Sequence, residues 1–436
     1  MKKSFIMLFC LAALISRAQF VEQPLNYPGP GYWPYYISIA DREHVWVGTI
    51  HENGLPCSWA VHTADGGNSW ILDTIPVPGM PLCSSIACVD SGTCFFVFTD
   101  ALAGGGSIWK TTDQGDTWAN LTTTQFSGGY ANFYHPFTAD TGVAMGDPVD
   151  GYFEIQLTFN GGATWERVPE SQIPPPLTGE YGYTDCYSAV GNSVWFTTNK
   201  GRCFRSTDRG LNWDVVQVFE TGDDMFGVCF STEEKGVYWG MYTGTGELAV
   251  TSDGGATWET KNFLPGTMIM NMCRVEGFDE GYVITAWKNY TDVYFTANMF
   301  ESYQILAESI ISTGEVNFLD ATTGWLSGGE SGTNEIYRYD GILTSSEKRL
   351  KDPVTLSILP NPSNNVALVR LPQNRAEGLS EIRIYRITGA LVECLPVASS
   401  EDWITLDATA YQDGLYLVRL VNGNRIEACR KWIVAH

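Results

Sequence analysis

The sequence predicts an all-β chain, a seven-bladed β-propeller followed by a small C-terminal β-sandwich. Three observations predict it. An eight-residue phrase recurs at nearly constant spacing. A second, apolar signature continues that period beyond the clear copies. A final stretch of about 80 residues reads as short alternating strands. The phrases are TADGGNSW (63–70), TTDQGDTW (111–118), TFNGGATW (158–165), STDRGLNW (206–213) and TSDGGATW (251–258), with steps of 48, 47, 48 and 45 residues between their tryptophans. A fixed period of this size is one supersecondary unit copied and stacked.

Before the first unit, residues 1–18 read as a signal peptide. Lys2 and Lys3 precede an apolar core from Phe5 to Ile15, and Ser16-Arg17-Ala18 offers the small residues of a cleavage site before Gln19. The core is too short to span a membrane, and no later segment reaches the ~20 apolar residues a span needs.

Each phrase is followed by a polar loop, an apolar strand and a turn. The turn signature runs through 39–48, 88–97, 137–146, 188–197, 231–240, 277–286 and 318–328, giving seven units. The sixth phrase is degenerate: Thr296-Ala297-Asn298 and Ser302-Tyr303 keep the skeleton, with Phe300 in place of glycine. The seventh unit stops near Gly341 and lacks its fourth strand. Residues 19–25 have no unit of their own and are expected to supply it, closing the ring.

Within the phrase, Asp65, Asp113, Asn160, Asp208 and Asp253 are expected to accept hydrogen bonds from their own turns. Glycine supplies a positive φ. Trp70, Trp118, Trp165, Trp213 and Trp258 fold back as apolar plugs. Repetition argues against catalysis, because chemistry needs one asymmetric site rather than several equivalent ones. The phrase resembles the Asp-box of bacterial neuraminidase-type repeats. Residues 19–343 resemble the photosystem II assembly and stability factor-like propellers, and more distantly the sortilin and glycoside hydrolase propellers. The resemblance implies the fold and leaves the function open.

Residues 344–354 are polar and charged and read as a linker; 355–436 read as the sandwich. This last region resembles the type A C-terminal sorting domain of the type IX secretion system. The resemblance rests on Leu359-Pro-Asn-Pro362, the strand 382–387 with Thr388-Gly389, Asp413-Gly-Leu-Tyr416 and Arg430-Lys431; the ending 432–436 departs from the family's usual short lysine-containing strand. It implies export through both membranes, the type IX machinery as partner of 355–436, and a secreted or outer-surface location on a Gram-negative bacterium.

The formal net charge is −23, and residues 353–436 hold eight acidic and eight basic residues, so the excess acid lies in the first 352. Such a surface repels phosphate backbones and excludes nucleic acid as a partner. Beyond the signal ten cysteines remain, without CxxC pairs or Cys/His clusters. No metal or other cofactor is therefore expected. Cys394 and Cys429, the two cysteines of the C-terminal region, are the expected disulfide.

A sialidase needs an arginine cluster to hold a carboxylate; the seven arginines between Arg42 and Arg338 form no such signature. The remaining expectation is a non-catalytic propeller that binds a protein or glycan on the loop face opposite the phrases. The residues expected to contact the ligand are Tyr35, Tyr134, His135, Tyr183, Asp185, Asp224 and Trp287. The competing expectation is a secreted glycoside hydrolase using two carboxylates on that face.

Overall fold

The computed structural model describes residues 20–25, 31–220, 224–241, 243–310, 314–328, 335–344, 356–371, 380–386, 390–398, 403–422 and 425–436. The signal peptide and nearly all of the expected linker lie outside them. The chain divides into two compact units, 1–347 and 348–436. Among the described residues no helix is long and apolar enough to cross a membrane.

Among its described residues the first unit contains seven four-stranded antiparallel sheets. Six are consecutive in sequence, within 32–74, 81–120, 131–167, 182–217, 226–262 and 268–310. The seventh joins Val316–Asp320, Thr323–Gly328 and Glu335–Tyr339 to the N-terminal strand Phe20–Pro24. There Phe20 faces Tyr339 and Val21 faces Arg338, Phe20 is buried against Phe318 and Tyr339, and Gln23 Oε1 accepts from Trp325 Nε1 at 3.2 Å. The expected closing strand is thus present. The innermost strand of each sheet touches those of the sheets before and after it in a closed cycle. The sheets are the blades of a propeller, and closure protects strand edges from pairing with other chains.

The blades hold together through aromatic residues, which bury large areas at little entropic cost. Trp195 of one blade stacks on Phe230 of the next at 3.6 Å, Phe133 on Tyr187 at 4.1 Å, and Trp118 packs edge-on against Trp46 and Phe96.

The phrases form the turns between third and fourth strands. In the fifth, Asp253 accepts from Thr257 N (2.9 Å), Thr257 Oγ1 (2.6 Å) and Thr251 Oγ1 (2.8 Å), while Thr251 Oγ1 accepts from Gly255 N (3.0 Å). The same backbone bond holds around Asp65, Asp113, Asn160 and Asp208, and around Asn298 of the degenerate copy; Asn160 and Asn298 instead donate to the Thr164 and Ser302 hydroxyls. In the degenerate copy Phe300 adopts φ +66° where the others place glycine. Each turn also bonds back to the first-to-second-strand turn of its blade, as Gly66 N to Glu43 O (3.0 Å) and Gly254 N to Glu234 O (2.8 Å) do. Both kinds of turn therefore share one face. Hydrogen bonds from the Thr257 hydroxyl and amide hold the Asp253 carboxyl down to about 2.

Asp253→Ala removes three accepted bonds from a solvated turn. The expected cost is about 1–2 kcal/mol, read as a lower melting temperature, with the fold retained by circular dichroism. No loss of stability would contradict the stapling role.

In the second unit, Ser357–Leu359, Val366–Arg370 and Trp403–Asp407 form one sheet; Leu391–Val397, Ser380–Arg386, Gly414–Asn422 and Arg425–Val434 form the other. Val366–Arg370 alternates exposed and buried residues, as a strand with one face on a core does. The core includes Val369, Ile382, Ile384, Val418 and Trp432, and Trp432 Nε1 donates to Ser363 Oγ at 2.6 Å. The unusual ending thus supplies a core residue.

The disulfide expectation is corrected. Cys394 and Cys429 lie on the two edge strands of the four-stranded sheet, with two strands between them. Three inter-strand steps of ~4.8 Å exceed the reach of a disulfide. Cys394 is a free thiol that donates to Glu381 Oε2 at 2.9 Å; the Cys429 side chain lies outside the described residues. Among the described residues the disulfide is Cys88–Cys94, whose residues face each other across the first-to-second-strand turn of their blade. Cys57, Cys83, Cys186, Cys203, Cys229 and Cys273 are free and buried.

Candidate functional site

With the phrases on one face, the opposite face carries the loops entering each innermost strand and the turns between second and third strands. Four exposed aromatics stand on these segments: Tyr130 (47%) and Tyr181 (39%) just before innermost strands, and Trp287 (37%) and Tyr290 (62%) at a second-to-third-strand turn. Tyr181 and Tyr183 meet edge-on at 5.3 Å.

The ring of innermost strands encloses a central cavity of about 400 Å³. Its wall is mixed: Ile37, Ile86, Val228 and Met272 line it together with Ser38, Asn271, Arg274 and Asn317. Asp185 and Glu315 lie in this wall, and a third carboxylate, Glu276, lines it two residues from Arg274. Asp185 lies where the register of Gly182–Val190 shifts, with φ +57°. Holding a non-glycine residue there costs on the order of 1–3 kcal/mol, a strain typical of functional positions. Its Oδ1 accepts from Ser85 Oγ, two blades earlier in the ring, at 2.6 Å. Glu315 Oε2 accepts from Ile37 N at 2.7 Å, and the Glu315 backbone N–H donates to Ser327 Oγ at 2.9 Å. Both carboxyls keep part of their surface open to the cavity.

Enclosure by protein removes most of their hydration. Burial pushes the Asp185 carboxyl up to about 7 against the opposing Ser85 bond. Burial and then the charge of Asp185 push Glu315 well above the ordinary carboxylate range, against the bond from Ile37. Among the described residues neither carboxylate has an ion-pair partner. The cation of the cavity lies toward the other end of the innermost strands. Arg274 Nη1 donates to Ala189 O at 3.2 Å. Burial, then the Arg274 charge, lowers His135 to about 4, which leaves it neutral at pH 7.

Of the residues expected from sequence, His135 and Asp185 line the cavity. Tyr35 is half-buried beside Tyr36 at 4.9 Å. Tyr183 packs against the core that contains Trp239 and Ile269. Asp224 is exposed at a separate small depression with Phe219, Thr243 and Glu247, and Trp287 stands at the rim. Tyr134 is a correction. It is fully buried between its blade and the preceding one, against Phe95 and Trp165, off the loop face. Consecutive strand residues point to opposite sides, so only one of Tyr134 and His135 can reach the cavity. Sequence reasoning missed Glu315, Ser85 and Trp239. A charged residue at the start of an innermost strand was the available signal for Glu315. Among the described residues no group of three or more His, Cys, Asp or Glu is arranged to hold a metal ion.

Comparison with known proteins separates the two units. Residues 357–435 match the family described as "Secretion system C-terminal sorting domain". The chain is accordingly a type IX export cargo, secreted or held at the outer cell surface of a Gram-negative bacterium, and it engages that secretion machinery. No curated protein sequence matches the chain. Among solved structures it is similar to YCF48 bound to a D1 peptide (TM-score 0.57, 13% identity, covering 76% of this chain and 99% of that one). It is also similar to YCF48 from Cyanidioschyzon merolae (0.52, 13%, 74% and 98%). A GH74 enzyme from Niastella koreensis gives 0.48 at 14% identity, covering 81% of this chain and 59% of that one. At these identities the likeness concerns the propeller fold.

Proposed function

We propose that the mature protein is an exported, non-catalytic binding module in which the repeated turns are Asp-box staples and the opposite face takes a protein or glycan. The observation that carries this reading is the set of exposed aromatics Tyr130, Tyr181, Trp287 and Tyr290 around the mouth side of a rigid, closed ring. Exposed aromatics on loops of a stiff scaffold present large contact area with few rotamers to freeze. YCF48, described bound to a peptide, sets a precedent for a protein segment as ligand on this fold.

The test is capture of surface proteins and glycans by the mature chain, compared with Trp287→Ala and Tyr290→Ala. The double variant should bind the captured ligand at least tenfold more weakly while keeping a cooperative melt, because Tyr290 is largely solvated and Trp287 partly so. Undiminished binding would sink the reading.

A second reading, a glycoside hydrolase, draws on the electrostatic linkage of Asp185 and Glu315, since one raised carboxyl beside another suits general acid–base chemistry. Polysaccharide hydrolysis by the wild type that disappears in both Asp185→Asn and Glu315→Gln would favour it. Hydrolysis that survives both, or none at all, would remove it.

A further inference from the structure

We infer that the central cavity is a binding site for a primary ammonium group on an alkyl chain, and that a lysine side chain of a protein ligand fills it. The inference rests on the binding-module reading and names the ligand chemistry.

The carboxylate pair is built rather than incidental. Asp185 is held in a left-handed conformation within a strand irregularity, and Glu315 is pinned by the Ile37 amide. Each keeps surface open to the cavity, and neither has an ion-pair partner among the described residues. The groups that raise one another around Asp185 are Tyr36, Cys83, Cys186 and Tyr187, all neutral in their ordinary state. The positive charge of the cavity at pH 7, Arg274, lies toward the other end with Glu276 and the neutral His135. Asp185 and Glu315, without an ion-pair partner among the described residues and away from Arg274, fit an ammonium whose methylenes lie along Ile37, Ile86 and Val228.

A second, independent observation points to a ligand. Trp239 lines the same cavity, is 3% exposed, and its buried indole N–H has no hydrogen-bond partner. Its ring lies over Gly227, where a Cβ would meet the indole at 2.2 Å. A buried unpaired donor keeps its full desolvation cost, so an acceptor is expected in the bound state. An ammonium has no acceptor, whereas the backbone carbonyl of a lysine residue does. The combination selects a peptide lysine over a free amine.

Binding forms N–H···O bonds from R–NH₃⁺ to the pair. The added positive charge favours the ionised carboxylates, so a proton leaves the pair for the buffer as the ammonium enters. No bond to carbon is made or broken.

The experiment titrates the full mature chain with Nα-acetyl-lysine methylamide, n-pentylammonium and n-pentanol, following melting temperature and calorimetric enthalpy in buffers of different ionisation enthalpy. The lysine amide and pentylammonium should bind with proton release, and pentanol should not. Asp185→Asn and Glu315→Gln should weaken both cations at least tenfold. Trp239→Phe should weaken the lysine amide severalfold while leaving pentylammonium unchanged. Equal binding of pentanol, undiminished binding by both carboxyl variants, or no binding of either cation would overturn the inference. An equal effect of Trp239→Phe on both cations would overturn the choice of lysine. If the cations fail while Trp287→Ala with Tyr290→Ala still abolishes ligand capture, the ammonium site falls and the binding module stands; if capture is also unaffected, both fall.

Discussion

Asp185→Asn raises the melting temperature of the ligand-free mature protein at about pH 8 by on the order of 5 °C and flattens its decline with rising pH. Asp185 and Glu315 both hold their protons more tightly in the folded ring than in the unfolded chain. From about pH 4, where the unfolded carboxyls ionise, to the folded value of about 7 for Asp185, the folded state carries the extra proton. Stability therefore falls as pH rises through that window, by at most about 1.4 kcal/mol per pH unit for each group. Asparagine keeps the shape, tolerates the left-handed backbone and cannot ionise.

The turn carboxylates act in the opposite sense. Asp65, through its bonds from the Ser69 hydroxyl and amide, and Asp253, through those from Thr257, are held near 2. Their contribution is present above about pH 4 and is lost as pH falls toward 2. The expected profile has a maximum at mildly acid pH, and Asp185→Asn should move that maximum upward. Thermal melts of both proteins from pH 3 to 9 check this. A wild-type melting temperature that climbs steadily from pH 5 to 8 would contradict it.

Deleting residues 20–24 opens the ring, and the shortened chain is expected to lose cooperative folding. The deletion leaves Glu335–Tyr339 as an unpaired edge, strands Trp325 Nε1 without its Gln23 acceptor, and removes Phe20 from Phe318 and Tyr339. Phe20→Ala alone should cost about 3–5 kcal/mol. A synthetic peptide of residues 19–25 added in trans should restore part of the melting temperature of the deletion variant, because the groove between strand edge and core is otherwise complete. A deletion variant as stable as the wild type would show that the strand does not close the ring.

The fold was legible because the repeat supplied its own alignment. The decay of the seventh unit pointed to the strand at Phe20–Pro24, and the alternating C-terminal pattern pointed to two small sheets. The site was legible only in part. Asp185 was found as a carboxylate near an innermost strand, but Glu315 precedes the strand of a unit whose phrase is lost, and Ser-Thr-Gly-Glu reads as loop. Tyr134 was misplaced because strand parity is invisible until register is known. Cys88 and Cys94 were passed over, and Cys394 and Cys429 paired, for the same reason: sequence order does not say which strands are neighbours. Trp239 was counted among the structural tryptophans, and its unpaired N–H emerged only with its surroundings.

The most direct measurement compares ligand binding by variants of the two faces of the ring. Asp65→Ala with Asp253→Ala weakens the repeated turns, and Trp287→Ala with Tyr290→Ala strips the opposite rim. The affinity of each for the ligand captured by the wild type is measured below its melting temperature. The expected result is unchanged affinity for the turn variant and at least a tenfold loss for the rim variant. The reverse pattern would contradict the assignment of function to the face opposite the repeats.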